Sequence, residues 1–263
     1  MSGETVAPSF QRGSKSALIP ILIFAVVASL SLGGVRGADY MIMHGLNRLS
    51  GRSAILDHAI FGLTKDMFSS VVLLSLVVYA WYGTLDAAKR AGILVGVFMS
   101  FSSGIISRVL QLLLPTHHRP LHDAALHFRI PFGVQADTLN HWASFPSDHA
   151  AVTFGLACTL YLANIRVGRV AFALVALLNL VRIYLGLHYP SDVLAGGMLG
   201  IALVVTTRPF QDSRIVRRIL AWEFSHRALF YALAFYLCFG IATLFNDYRS
   251  ALADIAKMVV PHS

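Results

Sequence analysis

VAFALVALLNLVRIYLGLHYPSDVLAGGMLGIALVVTT, residues 170–207, decides the fold. Two apolar runs, 170–187 and 191–207, flank a short island of His188, Tyr189 and Pro190. Each run is close to the roughly 17–25 residues that cross the hydrocarbon core of a bilayer. Backbone groups in lipid must bond within their own segment, so both runs read as helices. Pro190 sits where the second begins, in a first turn that does not need its missing N–H. Five further runs lie outside this stretch, at 17–35, 67–82, 91–114, 148–163 and 228–245. Hydrophobic residues make up 56% of the chain and charged ones 13%, against about 25% charge in a soluble domain. A soluble globular domain and a disordered chain are both excluded. The expected fold class is all-α: a polytopic membrane helix bundle of about six to seven transmembrane helices. It forms a single membrane domain, 1–263, in which 228–263 supplies an additional C-terminal span and tail.

Net charge is +8, from 21 basic and 13 acidic residues. On a membrane chain this points to basic loops against anionic lipid head groups, with no nucleic acid partner. Cys158 and Cys238 lie inside apolar runs and read as core residues. The run after Arg12 and Lys15 has no clear cleavage site and reads as a retained span. With the N-terminus inside, segments 1–16, 83–90, 164–169 and 208–227 carry about twice the basic density of the outer ones, which supports that orientation. Stretch 38–66 reads as an amphipathic helix on the outer surface, and Arg214 to Arg227 as its counterpart on the inner one. Six of the eleven histidines fall between 117 and 149. Most of this interval is a connection, 115–146, too long to be a plain turn and read as functional.

Three clusters converge on the outer membrane face. The first is Pro115-Thr-His-His-Arg-Pro120, with Arg108 and Gln111 in the last two turns of the preceding span; an intramembrane charge is a functional candidate. The second is Ser144-Phe-Pro-Ser-Asp-His149, where a helix start aims backbone N–H groups outward and makes an anion site. Ser147 adds a hydroxyl and His149 a titratable ring. The third joins Arg182 to His188 and Asp192. His188 and Asp192 are four apart, so the carboxylate can reach back to the imidazole and orient it as a nucleophile. Guanidiniums and helix-start amides suit a phosphoryl group, and two histidines suit a nucleophile and a general acid. The carboxylates do not cluster as metal ligands would. The loop histidines His117, His118, His122, His127 and His141 match no zinc spacing. Trp142 reads as an interfacial anchor.

These residues resemble the type-2 phosphatidic acid phosphatase superfamily of membrane lipid phosphatases. Its motifs K-x6-R-P, P-S-G-H and S-R-x5-H-x3-D appear here as Leu112-x6-Arg119-Pro120, Pro146-Ser147-Asp148-His149 and Val181-Arg182-x5-His188-x3-Asp192. The phosphatase motif core covers 91–207. The resemblance implies that His188 attacks phosphorus and forms a phosphohistidine. Asp192 would orient it, and His149 would protonate the leaving oxygen and later activate water. Arg119, Arg182 and Ser147 would hold the phosphoryl oxygens, with no metal and no cofactor. Three positions depart from the pattern. Leu112 replaces the lysine, a role expected to pass to Arg108, with His117 as the other candidate. Asp148 replaces glycine beside the phosphate site, and Val181 replaces serine. The Pro-Ser-Asp-His form resembles bacterial undecaprenyl diphosphate phosphatases.

The expected protein is therefore a bacterial inner-membrane phosphatase with its site facing the periplasm or exterior. It would cleave a lipid-linked phosphate or diphosphate, undecaprenyl diphosphate first among them. Its partners would be the lipid phosphate substrate and membrane lipids, with oligomeric state left open. Another lipid phosphate (phosphatidic acid, phosphatidylglycerophosphate or a lipid A phosphate) is the alternative substrate. A non-catalytic lipid-phosphate transporter is the alternative class.

Overall fold

A computed structural model describes residues 9–34, 36–64, 66–115, 117–140 and 142–242. Among them are ten α-helices and no strand: α1 (Ser9–Leu32), α2 (Gly37–Asn47), α3 (Ala54–Leu63), α4 (Asp66–Tyr82), α5 (Ala87–Leu113), α6 (Asp148–Ala163), α7 (Ile165–Tyr184), α8 (Pro190–Thr207), α9 (Arg214–Ser225) and α10 (Arg227–Ala242). Within the described residues, every apolar run of the sequence coincides with a helix. Three stretches are long and apolar enough to cross a membrane: Ala87–Leu113, Ile165–Tyr184 and Pro190–Asp212. A fourth span results if Ala17–Leu32 and Gly37–Asn47 count as one broken crossing. Val71–Tyr82 and Arg227–Phe239 are apolar but shorter. Tail residues 243–263 lie outside the described residues.

α6 is the hub, packed against α4, α5, α7 and α8. Its sixteen residues rise about 24 Å. Ala150, Ala151, Ala157 and Leu160 are all fully buried. α5 is built the opposite way from a soluble helix. Ser100, Ser103, Ser107 and Gln111 form a buried polar stripe, while Ile105, Val109 and Leu112 face outward. Lipid wants apolar contact and the bundle interior can satisfy hydroxyls, so the pattern inverts. Ser107 and the Gln111 amide both donate to the Pro146 carbonyl, at 3.0 and 2.7 Å. That pins the start of α6 to the upper third of α5.

α8 crosses α6 at backbone contact. A Cβ added at Gly196 or Gly200 would stand 2.1 and 2.0 Å from the Ser147 and Ala151 carbonyl oxygens. No side chain fits, so two glycines one turn apart set how closely the two helix starts approach. Ser147 N–H also donates to the Asp192 carbonyl at 3.0 Å. The N-termini of α6 and α8 and the C-termini of α5 and α7 thus meet at one end of the bundle.

Stretch 38–66 is not one amphipathic helix. α2 and α3 are separated by a turn at Gly51, whose φ of +69° is left-handed, and Ser53 caps α3 by accepting from Leu56 N–H. A turn glycine followed by a capping serine stops one helix and starts another. α9 is amphipathic as expected, but Arg90, counted among the bases of the inner segment 83–90, is internal and packs against it. Arg90 is buried and pairs with Glu223 at 3.0 Å, and Tyr231 hydroxyl donates to the same carboxylate at 2.6 Å. Glu223→Ala would leave a buried guanidinium without its partner, a change worth about 3 kcal/mol. The thermal midpoint in detergent should fall well below that of Glu223→Gln, which keeps an acceptor.

Candidate active site

His188 sits in the turn between α7 and α8 and is 1% exposed. Its Nδ1 lies 3.0 Å from the Ser144 carbonyl. A carbonyl can only accept, so Nδ1 carries the proton and Nε2 keeps its lone pair. Nε2 lies 3.4 Å from Arg119 Nη1. Burial, then the charges of Arg119 and Arg182, hold the ring well below the ordinary imidazole pKa. It is therefore neutral and nucleophilic at neutral pH. Asp192 is not in hydrogen-bond contact with it: Oδ2 is 3.7 Å from Nδ1 and instead accepts from Tyr189 N–H at 2.7 Å. A carboxylate at this position of a helix start is drawn to the cap N–H. The carboxyl group still stands behind the ring, while a backbone carbonyl sets the tautomer.

Arg119 is 3% exposed. It donates from Nε to Trp142 O (3.2 Å), from Nη1 to Leu187 O (2.6 Å) and from Nη2 to Ala143 O (3.2 Å). A guanidinium has five N–H bonds, so two remain, one on the edge nearest His188 Nε2. Burial lowers its pKa to about 10, which leaves it charged. Arg182, in the last turn of α7, is half-buried and its charge bears on both His188 and His149.

Ser147 is the cap of α6, accepting from Ala150 N–H at 3.3 Å. Pro146 thus lies one residue before the cap. Asp148 Oδ1 accepts from His149 N–H at 2.8 Å. Two of the amides expected to face a phosphate are therefore already bonded within the helix start. Short polar side chains at such a start compete for those N–H groups. The Ser147 hydroxyl still has its own proton to give.

Leu112 is 73% exposed and faces away from the site. Arg108, one turn earlier, turns inward. Its Nη1 donates to Gln111 Oε1 at 2.7 Å and stands 3.7 Å from Asp148 Oδ2. Its guanidinium lies 3.8 Å over the Trp142 ring, a cation–π contact. The two departures from the family pattern therefore sit together: the arginine that stands near the missing lysine faces the aspartate that replaces glycine.

His117 is not available as that cation. It is 2% exposed and its Nδ1 lies 2.7 Å from Ser144 Oγ. Burial pushes its pKa down to about 4. Between that value and the ordinary 6.5 the unfolded chain holds a proton the folded chain does not, so stability is complete above pH 6.5 and falls as pH drops toward 4. The difference is about 3 kcal/mol. The thermal midpoint should drop between pH 7 and pH 5, and His117→Asn should shrink that drop.

Sequence reasoning missed what holds the 115–146 connection in place. Asp123 accepts hydroxyl bonds from Tyr40 (2.7 Å) and Tyr189 (2.6 Å). Burial alone would raise its pKa, but those bonds outweigh it and hold the carboxyl below its usual range. Asn47 brackets Arg129 through its N–H and carbonyl, and Asp57 accepts from Phe132 N–H. α2 and α3 thus clamp the loop that carries Ser144 and Trp142. The loop histidines go separate ways. His122 Nε2 meets the Thr138 carbonyl, His118 is exposed, and His141 lies outside the described residues. Among the described residues no three His, Cys, Asp or Glu side chains form a metal-sized group.

Residues 93–215 match the PAP2 superfamily. The chain is 26% identical over 182 residues to the undecaprenyl-diphosphatase BcrC of Bacillus subtilis, covering 68% of this chain and 86% of that protein. It is 29% identical over 170 residues to the putative undecaprenyl-diphosphatase YbjG of Escherichia coli, covering 62% and 79%. Among solved structures, the transmembrane PAP2-type phosphatidylglycerolphosphate phosphatase of Bacillus subtilis shares the fold, with a TM-score of 0.52 at 21% identity over 75% of this chain and 96% of that one. Histidine, arginine and helix-start motifs thus gather at one end of a helical membrane bundle, within residues 93–215, the stretch that is similar to the PAP2 superfamily.

Proposed function

We propose that this protein hydrolyses a lipid diphosphate, undecaprenyl diphosphate before others, by a metal-independent phosphohistidine route. The observation that carries it is the ring of His188, pinned through Nδ1 to the Ser144 carbonyl with Nε2 beside the Arg119 guanidinium. Nε2 attacks the terminal phosphorus, and the bridging P–O bond breaks. His149 gives a proton to the departing lipid monophosphate. A water then yields its proton to His149 and attacks the phosphohistidine, releasing inorganic phosphate. Arg119, Arg182 and the Ser147 hydroxyl hold the equatorial oxygens, and the Asp192 carboxylate offsets the charge His188 acquires. Support for the prenyl substrate comes from the two relatives named above and from the Pro146-Ser147-Asp148-His149 form of the second motif. Support for a site facing the exterior is the basic loop density at the opposite end.

The test is phosphate release by purified protein in detergent with EDTA, from undecaprenyl diphosphate, phosphatidic acid, phosphatidylglycerophosphate and a lipid A analogue. EDTA-resistant release, fastest with the prenyl lipid, is the expected result. A folded protein that binds the lipid but releases no phosphate would turn the reading toward a transporter. Arg108→Ala should lower kcat/KM on undecaprenyl diphosphate about tenfold to a hundredfold, the cost of about one charged hydrogen-bond donor. Retention of nearly full activity would remove Arg108 from the phosphate site.

A further inference from the structure

The end of the bundle away from His188 holds a second polar site. A cavity of about 150 Å³ opens between α5, α6 and α8. Lys89, Arg208 and Gln211 line it together with Gly96, Thr159 and Val204. Gly96 and Thr159 form its floor: a Cβ at Gly96 would meet the Thr159 side chain at 2.4 Å. Neither Lys89 nor Arg208 forms an ion pair among the described residues. Asp86, the acid nearest to Lys89 in sequence, is spent on capping α5, accepting from Ala88 and Lys89 N–H. Two cationic side chains and an amide therefore line one open notch without an internal counter-charge.

We propose that this cavity takes the phosphodiester head group of an anionic phospholipid in the leaflet opposite the active site. Two cations beside a polar notch between membrane helices fit a phosphate anion. Leu162, which lines the cavity, is 41% exposed, and Phe210, next to Gln211 in the chain, is 60% exposed, which offers a surface for acyl chains. α9 continues the same face, with Ile215 and Phe224 exposed and Arg214, Arg217 and Arg218 along its polar side. Ser147 and Thr159 are twelve residues apart on one helix, about 18 Å, so this site is distinct from the catalytic one. Its ligand is a diester with no terminal phosphoryl group, which His188 cannot cleave. The proposal stands whether or not the protein prefers a prenyl substrate.

The test is lipid binding by the purified protein in neutral detergent, read by native mass spectrometry and by the thermal midpoint. The probes are palmitoyl-oleoyl phosphatidylglycerol, the matching phosphatidylcholine and sodium phosphate. Phosphatidylglycerol should be retained and should raise the midpoint; phosphatidylcholine should not. In Lys89→Gln/Arg208→Gln, half-saturation should need at least about tenfold more phosphatidylglycerol. Arg166→Gln/Arg169→Gln, which removes bases from the same face but not from the cavity, should bind like the unaltered protein. Lys89→Gln alone, at an exposed position, serves if the double variant does not fold. Unchanged binding in the cavity variant, or an equal loss in the control pair, would overturn the site. Sodium phosphate matching the lipid would make it a free-anion site and overturn the lipid assignment.

Discussion

His188→Ala should reduce phosphate release from undecaprenyl diphosphate by at least about 10⁴-fold, a loss typical of removing a covalent nucleophile. The variant should fold. The ring makes one hydrogen bond to a carbonyl, and its loss leaves that acceptor unpaired at a cost of about 1–3 kcal/mol. Lipid binding should survive, because the guanidiniums of Arg119, Arg182 and Arg108 remain. His188→Asn is the sharper variant. Its side-chain amide can still donate to Ser144 but has no lone pair suited to attack. Equal loss in both variants separates nucleophilicity from positioning. The acid limb of kcat/KM assigned to His188 should fall below the ordinary 6.5, in the direction that burial and the two arginines push the ring. Acid quench of a reaction with labelled substrate should trap phosphate on the unaltered protein and none on either variant.

Arg119→Lys should cost nearly as much activity as Arg119→Ala, about 10³-fold in either case. The guanidinium does two jobs with one group. Three of its N–H bonds hold the carbonyls of Trp142, Ala143 and Leu187; the remaining edge faces Nε2 of His188. An ammonium keeps the charge but cannot reach three carbonyls across a planar fork. The peptides on either side of His188 would lose their anchor, and a nucleophile misplaced by about 1 Å can cost about 10²-fold by itself. Stability should fall too, by about 3 kcal/mol or more, because buried carbonyls lose a charged donor. If Arg119→Lys kept activity within tenfold, the strut role would be wrong even though the phosphate role could stand.

How much of this was legible in the sequence follows from what each signal depends on. Apolar runs report a solvent, and lipid is uniform, so the stretches at 67–82, 91–114 and 148–207 located their helices directly. Convergence of Arg119, Ser147, Arg182 and His188 was legible because spans of similar length return the chain to the same face. Contacts between residues far apart in sequence were not. Nothing in the spacing of Ser144 announces that its carbonyl sets the tautomer of His188, or that Asp123 ties two tyrosines from different helices. His117 shows the same limit: a histidine beside the first motif reads as a candidate cation for the missing lysine, yet its ring is packed between Phe145 and Tyr189. The split of 38–66 into α2 and α3 depended on a turn glycine and a cap that apolar spacing obscured.

The pinning of Pro146 to α5 bears on how the reaction should be measured. Ser107 is six residues short of the end of α5, so the last turns of that helix climb about 9 Å past the start of α6. Their inner side carries Arg108 and Gln111, while Leu112 and Leu113 stand outward at 73% and 75% exposure. On the proposed function, a lipid would reach His188 by sliding along an oily wall and tipping its phosphates over the rim, without leaving the interface. Encounter is a collision in two dimensions. Turnover should scale with the mole fraction of substrate in the micelle or bilayer, and diluting it with inert detergent at constant bulk concentration should slow the enzyme as surely as withdrawing substrate.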